Sequence, residues 1–121
     1  MALSCYLRDG DAHLKNFGMV YEHPAAARIL APVYDVVCTD IYPELDGRLA
    51  LKLNKSKAFP SDTDLTGYGK RLGLSSDEVN EVMSRIDDAF YRVMDAYKKD
   101  VRFMKDGLLN RIHQAVKKSE Q

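Results

Sequence analysis

Gly10-Asp11-Ala12-His13-Leu14-Lys15-Asn16-Phe17 leads into the apolar run Phe17-Gly18-Met19-Val20-Tyr21. A second run, Leu30-Ala31-Pro32-Val33-Tyr34-Asp35-Val36-Val37, follows nine residues later. Both runs are short and carry β-branched and aromatic side chains, so they are expected as short strands rather than helices. Glu22-His23-Pro24-Ala25-Ala26 lies between them and is expected as a hairpin connection, with His23 solvated near its tip. On this reading Asp11 and Asn16 sit on a loop just ahead of one strand, and Asp35 sits late in the next. Upstream, residues 2–8 are expected as the end of a helix. Downstream, Leu49-Ala50-Leu51-Lys52-Leu53 alternates weakly and is expected as a third short strand.

The remainder reads as helical. All four prolines (Pro24, Pro32, Pro43, Pro60) fall in residues 1–60, and none falls in 61–121. Ser61-Asp62-Thr63-Asp64 offers capping side chains for a helix running to about Leu72, with Gly73 placed to end it. Ser75-x-x-Glu78 reads as a capping box. Behind it, Val79, Val82, Met83, Ile86, Ala89, Phe90, Val93, Met94, Tyr97 and Val101 recur at three- and four-residue steps, which predicts one long amphipathic helix. Leu108, Leu109, Ile112 and Val116 mark a last helix after Asp106-Gly107, with His113 expected in solvent. The fold class is therefore α+β and mainly α-helical, one domain over 1–121. Residues 1–60 hold loops and short strands, and residues 61–121 a helical bundle.

Whole-chain properties narrow the function classes. The chain has 121 residues, which is one domain's worth of core. Lys plus Arg is 18 and Asp plus Glu is 18, a balance that disfavours direct nucleic-acid binding. No run approaches the roughly 20 apolar residues needed to cross a bilayer, and no basic leader with a long apolar stretch opens the chain. Cys5 and Cys38 form no C-x-x-C pair, so free thiols in a cytoplasmic setting are expected, with Cys38 a small buried hydrophobe. Charge is uneven: residues 61–97 hold four basic against eight acidic residues, and residues 98–121 hold seven against three. Helix-end electrostatics accounts for this, with a basic binding surface on the tail as the sharper alternative.

Chemistry concentrates between Gly10 and Asp35. Asp-x4-Asn on a loop before a strand resembles a kinase catalytic loop. There an aspartate faces the attacking hydroxyl, and an amide oxygen reaches a magnesium ion on the nucleotide phosphates. A second carboxylate must then hold the metal, and Asp35 is placed for it. Magnesium prefers oxygen ligands and keeps several waters, so Asn16, Asp35 and phosphate oxygens suffice. Asp11, His13, His23, Asp35 and Cys38 lack zinc spacing. No Cys/His or Ser/His/Asp order stands out for covalent catalysis, and Tyr34 and Tyr42 are expected to pack.

Gly-Asp-x-His-x-x-Asn, an apolar strand and a further Asp together resemble the loop shared by aminoglycoside, choline, phosphoinositide and HipA kinases. Gly10-Asp11-Ala12-His13-Leu14-Lys15-Asn16-Phe17, then Leu30 through Val37, Tyr42-Pro43 and Leu49 through Leu53 most closely resemble the C-terminal lobe of the HipA family. The resemblance is specific over residues 10–53 and general beyond them. It implies a Ser/Thr protein kinase toxin with a kinase-like C-terminal lobe, using Mg2+ and ATP. It implies Asp11 as the catalytic aspartate, and Asn16 and Asp35 as the metal- and cofactor-binding pair. His13 and Lys15 are implied as flanking catalytic-loop positions, Lys15 neutralising phosphate charge and His13 bracing the loop. It also implies a protein substrate and an antitoxin-like DNA-binding repressor as partner.

Departures from the family are equally plain. These residues hold no glycine-rich loop and no lysine-bearing strand ahead of Gly10, so a separate N-terminal lobe is expected to supply the nucleotide cradle. The polypeptide alone is expected to be catalytically poor and to associate through exposed apolar surface as a homo-oligomer. A non-catalytic protein-interaction remnant and a lobe of an aminoglycoside/choline-type small-molecule kinase are the alternative readings.

Overall fold

The computed structural model describes residues 1–118. It is mainly helical with one two-stranded sheet, in the order α1 (Ala2–Tyr6), β1 (Met19–Val20), β2 (Ile29–Leu30), α2 (Asp62–Arg71), α3 (Ser76–Tyr97), α4 (Val101–Met104) and α5 (Leu108–Lys117). Single 3-10 turns occupy Leu14–Asn16, Thr39–Ile41 and Lys105–Gly107. This agrees with the α+β expectation. Among the described residues, no helix is long and apolar enough to cross a membrane.

Local chemistry sets the helix starts where the sequence places them. Ser61 accepts the Asp64 N–H at 3.2 Å, and Asp64 Oδ2 accepts the Ser61 N–H at 3.0 Å. Ser75 and Glu78 repeat the exchange, at 3.2 Å and 2.8 Å. Each box satisfies two amides that a helix start leaves unpaired. Gly73, at φ +90°, supplies the left-handed residue between α2 and α3. Ser75→Ala is expected to cost about 1 kcal/mol, read as a thermal midpoint roughly 4 °C lower.

α3 is the spine against which the chain packs. On one side of its contacts, Cys5, Leu49, Leu53 and Leu65 form a cluster flanked by Met1, Phe59, Tyr68 and Met83. On the other, Tyr6, Phe90 and Val116 pack with Leu7, Ile86, Met94 and Ile112, and Met83 touches both clusters. Tyr6 meets Phe90 edge-on, ring centroids 5.6 Å apart, and its hydroxyl donates to Asp87 Oδ1 at 2.6 Å. Short α1 is thereby held against α3, and the loop that follows α1 has a fixed starting point.

Burial pushes the Cys5 thiol up to about 11, because its thiolate would lose solvent. The unfolded chain ionises this thiol near 9.0. The folded state therefore loses stability as pH rises from about 9 to about 11, and not below. Denaturation midpoints measured across that range are expected to fall, and Cys5→Ala to flatten that fall. Cys38 is half-buried and is likewise shifted upward, mainly by burial.

Four expectations need correction. The second apolar run is strand only at its start: β2 ends at Leu30. The Ala31 N–H still donates to Gly18 O at 2.8 Å, but Pro32 has no N–H to continue the ladder, and Asp35 turns the chain at φ +53°. Residues 49–53 form no strand. Leu49 and Leu53 are both buried, four residues apart, and the segment folds back through a single bridge from Leu53 to Ser56 over Asn54 and Lys55, both at positive φ. The long stripe does not continue to Val101, because Asp100 accepts the Arg102 N–H at 3.0 Å and starts α4. Val101 is 78% exposed. Finally, His113 is half-buried, stacked on Phe90 and edge-on to Tyr91.

Candidate active site

The loop after α1 is stitched to the segment after Asp35. The Gly10 N–H donates to Thr39 Oγ1 at 2.7 Å. Thr39 donates to Arg8 O twice, from Oγ1 at 3.1 Å and from its backbone N–H at 3.2 Å. Arg8 pairs through Nε with Asp40 Oδ2 at 2.8 Å, both side chains largely buried. This arrangement requires glycine at position 10. A Cβ there would lie 2.5 Å from Arg48 O and 2.8 Å from Thr39 Oγ1. Sequence reading singled out none of Arg8, Asp9, Thr39 and Asp40. Their one visible signal is the doubled carboxylate in Asp9-Gly10-Asp11.

Asn16 and Asp35 meet, although 19 residues separate them: Asn16 Nδ2 donates to Asp35 Oδ2 at 3.1 Å. The 3-10 turn Leu14–Asn16 aims the amide, because Asn16 Oδ1 accepts the His13 N–H at 2.9 Å. From the segment after β2, the Tyr34 hydroxyl donates to Lys15 O at 2.5 Å. Tyr34 therefore ties the Asp35 segment to the loop, a role beyond simple packing. Asp35 carries a left-handed backbone that only a few per cent of non-glycine residues adopt. Such strain persists where the surroundings enforce it, and it clusters at functional sites.

The remaining positions are more loosely placed. Asp11 is exposed and lines an open cavity of about 420 Å3 with Glu44, Asp46 and Arg48. Asn16 and Asp35 line a smaller cavity of about 80 Å3 beneath the hairpin, with Asp9. Asp11 is therefore in the same loop system but faces the neighbouring hollow. His13 braces the loop through its main chain; its Nδ1 is buried without a hydrogen-bond partner among the described residues. The Lys15 side chain is exposed. His23 is exposed beside β1, and its carbonyl accepts the Ala26 N–H at 2.8 Å in the connecting turn.

The donor set suits a hard cation. Asn16 Oδ1 has a second lone pair after serving His13, and the Asp35 carboxylate is held by Nδ2 of the same amide. Two side-chain oxygens match the sparse protein ligation of magnesium, which keeps waters and takes phosphate oxygens. Among the described residues, no three His, Cys, Asp or Glu side chains gather tightly enough to hold a metal alone.

The chain is 27% identical over 84 residues to a Sinorhizobium fredii protein described as "Putative kinase Y4mE". That match covers 67% of this chain but only 19% of that protein, so the chain spans about a fifth of the relative's length. No solved structure matches. The model of the HipA-like C-terminal domain matches residues 1–94, taking in the loop, the hairpin, Asp35 and nearly all of α3 and leaving α4 and α5 outside. With most of its length matched in this way, the chain belongs to the HipA-like C-terminal domain family.

Proposed function

We propose that this chain is the C-terminal catalytic lobe of a HipA-like Ser/Thr protein kinase, a toxin of a toxin–antitoxin system. It would serve phosphoryl transfer from Mg-ATP to a protein hydroxyl. The observation that carries the reading is the Asn16–Asp35 bond, which brings together the two oxygen-bearing side chains that phosphoryl transfer needs beside a nucleotide. Magnesium bound there would neutralise charge on the phosphate oxygens. Asp11 would orient the substrate hydroxyl and accept its proton, in the open cavity it shares with Glu44, Asp46 and Arg48. Lys15, exposed next to Asn16, would place positive charge toward the phosphates.

Catalysis of this type is almost all positioning and electrostatics. A second lobe carrying a phosphate cradle is therefore part of the proposal. The apolar residues of the hairpin fit that partner: Met19, Val20, Ile29 and Leu30 all lie exposed. Two-stranded ribbons are marginal without cover, and this one has a face to offer. A second copy of the chain is another candidate for this exposed surface, and an antitoxin-like repressor is the partner the family suggests.

Phosphoryl transfer from labelled ATP to protein tests the function. The 121-residue chain alone is expected to give negligible turnover. Combined with a nucleotide-cradling lobe, it is expected to label protein hydroxyls, and Asp11→Ala to abolish the labelling. Labelling by the combined protein that survives both Asp11→Ala and Asp35→Ala would refute the assignment.

A further inference from the structure

Asp9 is among the most deeply buried side chains of the described residues, at 1% exposure, and it is ionisable. Its Oδ1 accepts the Asp11 N–H at 3.0 Å. The backbone amide of Val37, two residues past Asp35, is close enough to the carboxylate to lower its pKa. Its Oδ2 has no hydrogen-bond partner among the described residues. The same side chain lines the small cavity beneath the hairpin that Asn16 and Asp35 line. Burial raises its pKa, the Asp11 and Val37 amides oppose that rise, and the charges of Asp11 and Asp35 add a smaller upward push.

These contacts place one carboxylate between the two halves of the site. We infer that Asp9 is a positioning residue: by holding the Asp11 amide and facing the Val37 amide, it fixes the loop bearing Asp11 against the segment bearing Asp35. This rests on the kinase reading for its purpose, but the linkage it describes is a property of the chain itself. Its hydrogen bond is to the backbone of its neighbour Asp11, so it acts through main chain. Asparagine keeps one acceptor oxygen of the same reach and removes the cost of a buried charge. It should therefore restore what alanine destroys.

The test is amide hydrogen exchange, read by NMR on the 15N-labelled chain and its Asp9→Ala and Asp9→Asn variants. In Asp9→Ala, exchange at Asp11 and at Val37 is expected to accelerate at least about tenfold, with amides in α3 and α5 unchanged. In Asp9→Asn both amides are expected to keep near wild-type protection. Unchanged Asp11 and Val37 exchange in a folded Asp9→Ala variant would overturn the inference. If alanine prevents folding, an Asp9→Asn variant that folds but leaves both amides unprotected would overturn it equally. Titration with Mn2+ and ADP separates this from the kinase reading. Affinity that falls in Asp9→Ala and returns in Asp9→Asn extends the linkage to the cation site. Absence of Mn2+ binding in all three proteins would count against the kinase reading and leave the exchange result standing on its own.

Discussion

Gly10→Ala is expected to destabilise the chain by about 3 kcal/mol, the upper part of the range for forcing a methyl group into filled space. The reason is specific. The added carbon meets a backbone oxygen, that of Arg48, at 2.5 Å, and the hydroxyl of Thr39 at 2.8 Å. A flexible side chain would swing aside, whereas here a main-chain segment must move. That movement would also break the Gly10 N–H bond to Thr39 and loosen the Thr39 bonds to Arg8. The measurement is chemical denaturation, where the midpoint should fall with the slope unchanged. The signals of Asp11 and Val37 should shift more than those of α5. A stability loss under about 0.5 kcal/mol would show that the two loops are not locked together as described.

Asp35→Ala is expected to lower affinity for a divalent cation with ADP or ATP by at least about tenfold, which is about 1.4 kcal/mol. Alanine removes the carboxylate proposed as a ligand, which is also the partner of Asn16 Nδ2. It also places a residue with no compensating side-chain bond in a left-handed backbone, so a modest stability loss accompanies it. Asp35→Asn separates the two effects. It tolerates the backbone better and keeps an acceptor, but removes the charge proposed to hold the cation. Calorimetry with Mn2+ and ADP should rank wild type first, Asp35→Asn well below it, and Asp35→Ala lowest. Equal affinity in all three would remove Asp35 from the site.

What the sequence reveals here follows from how local each signal is. The starts of α2 and α3 depend on side chains three residues apart, so Ser61/Asp64 and Ser75/Glu78 could be read directly. Asn16 and Asp35 were legible through the loop pattern around them, although their contact spans 19 residues. Residues 49–53 misled because weak alternation looks the same whether alternate residues face a sheet or Leu49 and Leu53 turn into a core between helices. His113 misled because helical periodicity places a residue on a face without saying which rings of α3 will meet it. Asp9 carried no signal beyond the doubled carboxylate of Asp9-Gly10-Asp11. Its importance lies in burial and in two amides distant from each other in sequence, and only folding brings these together.

The central claim is that Asn16 and Asp35 together hold a nucleotide-bound cation. The most direct measurement is paramagnetic broadening of the 15N-labelled chain by Mn2+ added with ATP. The account predicts that amide signals around His13 to Asn16 and Tyr34 to Val36 broaden first, and that Asp35→Ala removes the effect. Broadening centred instead on the acidic face of α3, around Asp87, Asp88 and Asp95, and unchanged by Asp35→Ala, would contradict it.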